Sequence, residues 1–404
     1  MQRVRLIHSV YGAHKNGANT VINSLLNSKK RFLENGIDID SLRPEGSFRD
    51  SSVETVPVGI KKLRNSLVDA IKKWLTEKAQ TFGWAAALLM KISEQRSAKK
   101  IVKKYFNEKY NQGDVLFFHT FFTCYYYLKY RKKYQPVVLV LHTNGEPFKM
   151  QRIYYKALEG SKYYRELLKK EEEVLKKADR IVFVANAPRL KFLECHSYVS
   201  PEKVFCVYNG ITKDEWKKSA ELHKPVEVVC VASITERKGQ HYIVEALRTI
   251  DNVNTLPVHF TFVGDGSDRI RLEQEVKESH LDKYCTFVGV TNDVAHYLKQ
   301  SDIYILPSED EGLPMAILEA MRAFLPIVST PVGGIPEMIE DGYNGMLIEP
   351  SKEGVLKFIE KIGDTDWIQM GQNARKVFEE KFTIEKMVDD YSRILNFEGL
   401  KPIE

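Results

Sequence analysis

Short apolar segments with strand character alternate with helical patterns along most of this chain of 404 residues. The first forty residues give the order strand, glycine-bearing loop, helix, strand, in the segments RVRLIHSV, YGAHKNGANT, VINSLLNSKKRFLENG and IDIDSLRP. Strands separated by helical stretches predict βαβ units, in which the strands pair in parallel. We therefore expect an α/β protein built from doubly wound parallel sheets.

The alternation resumes after a basic helical insert, and a second set of strands and helices then follows the first, which indicates two domains. The first set ends with the strand-like DRIVFVA and the segment KVFCVYNGI, and the second set begins with VEVVCVAS. A length of 404 residues also suits two or three domains. We place the boundary at Asn209–Gly210, with one domain over residues 1–209 and a second over 210–383.

Chemically suggestive residues lie at the predicted carboxyl ends of the strands, where open α/β sheets bind ligands. His119 and His142 end the segments DVLFFH and PVVLVLH. In the second domain, residues 233–238, 264–266 and 308–311 follow three predicted strands. This distribution predicts a ligand site along the strand ends of the domains.

The string SEDEGLPMAILEAM carries two acidic residues, Glu311 and Glu319, across a strand-to-helix junction. A helix that starts near Pro314 leaves the backbone N–H groups of its first turn free to bind a phosphate. Glu319, about two turns further on, can accept hydrogen bonds from a ribose diol. The junction therefore predicts a site for a nucleotide phosphate and its ribose.

The same string, followed by PIVSTPVGGIPEMIEDGYNGMLIEP, resembles the Glu-x7-Glu donor core of glycosyltransferase family 4, whose members are retaining enzymes with the GT-B fold. The resemblance implies two facing Rossmann-like domains with an interdomain cleft. It also implies that a last helix, at about 384–404, completes the first domain. By position, Glu311 would contact the donor sugar near its anomeric carbon and Glu319 would hold the ribose. Five residues would bind the sugar and diphosphate: Gly312, Leu313, Pro314, Met315 and Ala316.

The segment VASITERKGQ is similar to the family loop in which an arginine and a lysine neutralise the donor diphosphate. Lys238 matches the lysine, and we expect it to act in catalysis. Ser233 occupies the usual position of the arginine, so half of the expected cation pair is missing there. Arg237 is the candidate to replace it. A cation beside a leaving diphosphate can stabilise the transition state by about 3 kcal/mol.

The remaining site predictions also follow from the resemblance. Gly17 and Ala18 would be the small pair that approaches the donor phosphate and sugar. His142 would orient the donor sugar in catalysis, whereas we interpret His119 as a buried histidine whose hydrogen bonds are satisfied. Three further donor-binding candidates lie in the loops that close around the nucleotide: Gly264, Gly266 and Val290.

We expect a hexosyltransferase-type enzyme that moves a sugar from a UDP-sugar to an acceptor hydroxyl, here a lipid-linked saccharide of cell-surface polysaccharide synthesis. The donor is a substrate; no cofactor and no metal are expected, and neither Asp38/Asp40 nor Asp364/Asp366 is interpreted as a metal site. FVGDGSDR lacks the third glycine of a dinucleotide fingerprint. The alternatives are a sugar-nucleotide epimerase or hydrolase with this fold, and a non-catalytic nucleotide-sugar-binding scaffold.

The positive charge lies in the first half of the chain. Residues 1–203 carry 38 Lys+Arg and 20 Asp+Glu, whereas 204–404 carry 22 and 34. A helical insert at about 57–110 is the most basic part, with 13 basic and 4 acidic residues between Lys61 and Lys109. Its amphipathic pattern suits either an anionic membrane surface or packing on the domain core. We expect a cytoplasmic protein with peripheral contact to the inner face of the plasma membrane and no nucleic-acid partner.

Overall fold

The computed structural model describes residues 1–8, 17–42, 71, 74–108, 114–216, 221–250 and 256–397. The chain divides into two compact units. The first unit comprises Met1–Phe183, Arg189–Val207 and Val388–Glu404, and the second comprises Val184–Pro188 and Tyr208–Met387. The second unit thus begins two residues before the predicted boundary and also takes a short segment near residue 185.

The first unit contains a six-stranded parallel sheet with the order β2-β1-β3-β4-β5-β6. Its strands β1 to β6 are Gln2–Ile7, Ile37–Leu42, Val115–Phe118, Val137–Leu141, Arg180–Phe183 and Val204–Cys206. Every residue of β3 and β4 is buried, as expected for strands of a parallel sheet that is covered on both faces. The chain places β2 on one side of β1 and β3 on the other, so the strand order reverses between β1 and β3.

Helices cover this sheet. In chain order, α1 to α8 are Gly17–Asn27, Lys29–Glu34, Gly83–Met90, Arg96–Asn107, Phe121–Tyr130, Lys149–Tyr154, Lys162–Lys177 and Asn186–Cys195, and a π-helical turn at Lys91–Gln95 joins α3 to α4. The single helix expected after β1 is broken at Ser28, whose hydroxyl donates to the carbonyl oxygen of Ser24 at 2.8 Å. The backbone N–H of Ser28 donates to the same carbonyl oxygen at 3.2 Å, so the hydroxyl bond is of the kind that bends a helix, and α1 gives way to α2 at this bend.

The described part of the basic insert packs on the core of the first unit. Helix α4 buries Ala98, Ile101, Val102 and Tyr105 and leaves its lysines on the other side. Upstream of α3, the sequence pattern predicts one apolar face formed by Ile60, Leu63, Leu67, Ile71 and Leu75, with Trp74 near its edge. Of these residues, Leu75 is buried, whereas Ile71 and Trp74 are each 49% exposed. The other predicted members of that face lie outside the described residues: Ile60, Leu63 and Leu67.

The second unit contains another six-stranded parallel sheet, with the order β12-β11-β10-β7-β8-β9. Its strands β7 to β12 are Val226–Val231, Val258–Val263, Cys285–Gly289, Ile303–Leu306, Ile327–Ser329 and Gly345–Leu347. Helices α9 to α14 are Gln240–Arg248, Arg269–Glu278, Val294–Gln300, Met315–Arg322, Lys352–Lys361 and Trp367–Lys381, and α15 is Ile384–Leu395. Here the order reverses between β7 and β10, which marks the place where such sheets bind ligands.

The predicted α/β class with two doubly wound parallel sheets is confirmed. In both sheets all neighbouring strands pair in parallel, and the strand order shows crossovers between sequential strands. Among the described residues, no helix combines the length and the apolar character needed to cross a membrane.

Gly264 tests how tightly the loops of the second sheet pack. It follows β8 with φ +145°, and a Cβ atom there would overlap the backbone carbonyl oxygen of Ala232. We expect Gly264→Ala to lower the free energy of unfolding by about 3 kcal/mol or more, because both the backbone conformation and the contact exclude a side chain. Urea unfolding followed by tryptophan fluorescence, to which the buried Trp367 of the same unit contributes, measures this loss.

Gly363→Ala is the matched control. A Cβ atom at Gly363 would meet no heavy atom within 4 Å. Its unfolding midpoint should stay close to that of the wild-type protein, since only the chain entropy of the unfolded state changes. Equal midpoints for the two variants would contradict the packing argument.

Candidate active site

A buried carboxylate with nearby cations marks the switch point of the second sheet. Lys238 ends a 3₁₀ turn after β7, and Glu311 lies in the loop after the neighbouring strand β10. The Nζ atom of Lys238 donates to Oε1 of Glu311, and the hydroxyl of Ser308 donates to the same oxygen at 2.8 Å. Nη1 of Arg237 lies 3.8 Å from the other oxygen, Oε2. The structure therefore brings Glu311, Lys238 and Arg237 together.

Backbone contacts hold the two loops in this arrangement. Arg237 donates through Nη1 to the carbonyl oxygen of Asp310, and its own carbonyl oxygen accepts from the N–H of Glu309 at 2.9 Å. Ser233, by contrast, has an exposed side chain. Among the described residues of this loop, Arg237 therefore supplies the second cation close to Glu311.

The charges at this site favour an anion. Glu311 is only 7% exposed, and a buried carboxylate is stable only where cations or hydrogen-bond donors compensate it. Among the described residues, Lys238 and Arg237 are the two cations within 4.0 Å of this carboxylate, and both can turn to an anionic ligand. Helix α12 begins at Met315 directly beyond this cluster, with Pro314 as its N-cap, so the N–H groups of its first turn add partial positive charge.

The predicted residues of the α12 junction occupy different positions. Leu313, Pro314 and Met315 are buried, whereas Gly312 and Ala316 are partly exposed. Glu319 is partly buried and lies one helical turn after Met315. Each of their roles toward a donor remains a prediction.

The loop after β11 packs against the backbone of Glu311 and Gly312. The sequence analysis did not predict this contact. Gly333 has φ +57°, and a Cβ atom there would overlap the carbonyl oxygen of Glu311. The adjacent Gly334 donates its N–H to the carbonyl oxygen of Gly312 at 2.8 Å. Thr330 donates its hydroxyl to the carbonyl oxygen of Ser308. The glycine pair of TPVGG, directly after a strand, was the signal that could have predicted this support.

The candidates in the loops after β8 and β9 differ in their structural environment. Side chains at Gly264 and Gly266 would overlap the carbonyl oxygens of Ala232 and Ile234, so both glycines permit close packing of two backbone segments. Val290, after β9, is 79% exposed. Their contact with a nucleotide remains a prediction.

Three histidines follow adjacent strands of the first sheet. His8, His119 and His142 come directly after β1, β3 and β4, which are neighbours in the strand order. Nδ1 of His119 lies 3.0 Å from Nε2 of His142, so one ring donates a hydrogen bond to the other. The sequence analysis gave His119 and His142 different roles, whereas the structure pairs their rings.

The interpretation of His119 as fully hydrogen-bonded needs correction. His119 is 5% exposed, and within the described residues its Nε2 has no hydrogen-bond partner. Burial and the rings of His142 and His8 hold the pKa of His119 well below 6.5. Burial also lowers the pKa of His142 to about 4. Both rings are therefore neutral at pH 7 and can exchange hydrogen bonds without carrying charge.

The glycine-rich first loop is described only at its end. Gly17 and Ala18 are the first residues of α1, with Gly17 exposed and Ala18 partly exposed. The preceding part of the loop, 9–16, lies outside the described residues. The role assigned to this pair remains a prediction.

The paired aspartates make ordinary structural contacts. Asp38 lies 3.4 Å from Lys29, and Asp40 pairs with Arg5. Asp366 caps α14 by accepting from the N–H of Gln369 at 3.0 Å. Across the described part of the chain, no group of three or more His, Cys, Asp or Glu side chains is arranged to hold a metal ion.

The histidine pair predicts how stability depends on pH. Between pH 6.5 and 4 the unfolded chain protonates these histidines, while the folded rings stay neutral, so acidification should destabilise the protein. Each ring contributes up to about 1.4 kcal/mol per pH unit in this window. The double variant His119→Gln/His142→Gln should therefore show a shallower pH dependence of the unfolding free energy, measured by urea denaturation.

The exposed His280 offers a control, since His280→Gln removes a histidine without removing a buried one. This variant should keep the wild-type slope. A double variant with an unchanged slope would show that the pair is not held neutral in the folded state.

Comparison with known proteins identifies two family models. The model described as glycosyl transferases group 1 matches residues 212–377, and the model of glycosyltransferase family 4 matches residues 17–215. The chain is 31% identical over 214 residues to N-acetyl-alpha-D-glucosaminyl L-malate synthase of Bacillus anthracis, which covers 50% of this chain and 56% of that protein. It thus spans about half the length of the curated relatives it matches.

A second relative is UDP-Gal:alpha-D-GlcNAc-diphosphoundecaprenol alpha-1,3-galactosyltransferase of Escherichia coli, 28% identical over 207 residues, or 48% of this chain and 54% of that protein. Among solved structures, that of Anabaena HepE in complex with UDP-glucose is similar with a TM-score of 0.67 and 17% identity, covering 98% of this chain and 99% of that one. The chain therefore belongs to the group 1 glycosyltransferases of family 4 type, and its fold is GT-B.

Proposed function

We propose that this protein is a retaining glycosyltransferase that transfers a sugar from a UDP-sugar to a hydroxyl group of a lipid-linked saccharide in cell-surface polysaccharide synthesis. The observation that carries the proposal is the buried Glu311 with Lys238 and Arg237 beside it at the start of α12. The UDP-glucose complex of the structural neighbour supports the donor class, and the name of the Escherichia coli relative supports a lipid-linked acceptor.

Donor binding begins with an exchange of partners at Lys238. In the structure its ammonium group is paired with Glu311. A diphosphate would attract Lys238 and Arg237, while the free N–H groups at the start of α12 bind its oxygens. The released carboxylate of Glu311 can then accept hydrogen bonds from sugar hydroxyls.

The transfer step uses the charge that develops on the leaving group. As the bond between the anomeric carbon and the diphosphate oxygen breaks, negative charge grows on that oxygen, and the two cations stabilise it. The acceptor hydroxyl attacks the same face of the sugar and gives its proton to the leaving diphosphate. We propose that this reaction proceeds without a metal ion, because fixed cations and a helix N-terminus supply the positive charge.

Two further assignments complete the proposal. His142, neutral at pH 7, orients the donor sugar by hydrogen bonding. The basic region between Lys61 and Lys109 makes peripheral contact with an anionic membrane, where a lipid-linked acceptor is presented.

The first test is release of nucleoside diphosphate from UDP-, GDP- and ADP-sugars, with and without EDTA. We expect EDTA-insensitive turnover of a UDP-sugar and a loss of about a hundredfold or more in Glu311→Gln, which keeps the shape but removes the charge. Glu309→Gln is the matched control, because Glu309 lies two residues away and its exposed carboxylate accepts from Tyr242 instead. Wild-type turnover in Glu311→Gln would refute the assignment.

A second test asks whether Arg237 acts as the missing arginine. Arg237→Gln should weaken UDP binding by roughly tenfold and lower turnover further, since it removes a charge-assisted contact to the diphosphate. Isothermal titration with UDP measures the affinity. Arg248→Gln, at an exposed pair with Glu275, should bind UDP like the wild-type protein. Equal UDP affinity of the Arg237 and Arg248 variants would remove Arg237 from the site.

A further inference from the structure

Four lysine side chains of the first unit converge on one group of tyrosine rings. They come from three parts of the chain: Lys91 from the π-helical turn and Lys99 from α4, which follows it directly, Lys129 from α5, and Lys170 from α7. We refer to these four residues as the lysine cluster. Tertiary packing, not local sequence, brings them together.

The tyrosine rings connect the lysines into one surface. Nζ of Lys91 and Nζ of Lys170 lie 5.2 and 5.4 Å from the ring centroid of Tyr163. Lys170 also lies 5.9 Å from the centroid of Tyr125, which Lys129 approaches to 5.9 Å. These are distances at which a cation interacts with the face of an aromatic ring.

A buried amide fixes the rings that carry the cluster. Gln95, 5% exposed, accepts a hydrogen bond from the hydroxyl of Tyr126 at 2.6 Å and donates to the hydroxyl of Tyr163. Lys99 lies 5.0 Å from the ring centroid of Tyr126. The lysine ammonium groups therefore pack against tyrosine rings whose positions are fixed by buried hydrogen bonds.

The positive charge of the cluster is only partly compensated, because the nearby carboxylates are Glu166, which acts on Lys170, and Glu94, which acts on Tyr163. In the part of the chain that the structure describes, none of the four lysines forms an ion pair with a carboxylate. Burial lowers the pKa of Lys170, Glu166 opposes this shift, and the charges of the other three lysines add to it. Mutual repulsion of this kind is relieved when an anion binds.

An exposed apolar stripe lies on the same segment of the chain as Lys91. Trp84, Leu88 and Ile92 follow one another at intervals of four residues and are 54%, 39% and 41% exposed. The Trp84 ring also lies 6.2 Å from that of Trp74, which is half exposed. Tryptophan and aliphatic side chains beside lysines are typical of surfaces that enter the interfacial layer of a membrane.

We propose that the lysine cluster and the stripe Trp84–Leu88–Ile92 dock the first unit onto an anionic phospholipid bilayer. The lysines bind headgroup phosphates, and the stripe enters the interfacial layer. The inference rests on the proposed function, in which the acceptor is presented at a membrane. It extends the contact beyond the basic insert to Lys129 and Lys170.

The test is flotation of the full-length protein with vesicles of phosphatidylcholine, with and without phosphatidylglycerol. The wild-type protein should bind only the anionic vesicles. Since a lysine near an anionic surface contributes roughly a fivefold change in affinity, changing the whole cluster to Gln should weaken binding on the order of a hundredfold or more. The control changes four exposed lysines of the second unit to Gln, for the same loss of charge: Lys277, Lys357, Lys361 and Lys376.

A second variant, Trp84→Ser/Ile92→Ser, separates a bilayer from a soluble phosphate. This variant should also lose vesicle binding. If it still binds the vesicles and inorganic phosphate displaces it from them, the bilayer proposal is overturned. Equal binding by the cluster and control variants would overturn it as well. UDP-sugar hydrolysis is measured without vesicles in the wild-type protein and in every variant. A variant that hydrolyses the donor like the wild-type protein is folded, so its loss of vesicle binding concerns the membrane surface. No hydrolysis by the wild-type protein would count against the proposed function and not against the docking surface.

Discussion

Direct backbone-to-backbone packing at the carboxyl edge of the second sheet determines the rest of this site. The loop after β11 reaches the carbonyl oxygen of Glu311 without a side chain between them, at Gly333. The loop after β7 is tied to the loop after β10 through the pair Arg237 and Glu309. Three loops from adjacent strands therefore behave as one layer, and this layer fixes where the carboxylate of Glu311 points. A cation on the neighbouring loop meets it without an induced rearrangement.

The two sheets place opposite kinds of chemistry at their strand ends. At the second sheet, Glu311 is buried with Lys238 and Arg237 beside it, so an anionic ligand bound there would exchange one ion pair for another. At the first sheet, burial keeps His119 and His142 neutral, so their hydrogen bonds carry no charge. Each sheet therefore presents its own chemistry at its strand ends, a charged ion pair in the second unit and neutral hydrogen-bonding rings in the first.

The sequence predicted most strands of both sheets, because apolar runs are a local pattern, but it did not predict β11 and β12. The string with Glu311 and Glu319 indicated the strand-to-helix junction from its residues, whereas Lys238 was assigned through the family resemblance. The contact between His119 and His142 was not predictable in the same way, because it depends on the pairing of β3 with β4. The support from Gly333 likewise requires knowing that β11 lies beside β10.

The basic insert shows why its amphipathic pattern allowed two interpretations, a membrane surface or packing on the domain core. Helix α4 has apolar residues that pack on the core of the first unit, so the pattern is satisfied by folding alone. Packing this stripe inward, however, turns Lys99 outward, toward lysines that α5 and α7 supply from elsewhere in the chain. Packing of the apolar side of α4 on the core therefore places the lysines on the surface, so the two interpretations are compatible. A surface built in this way is as rigid as the core beneath it, because Gln95 and the tyrosines belong to both.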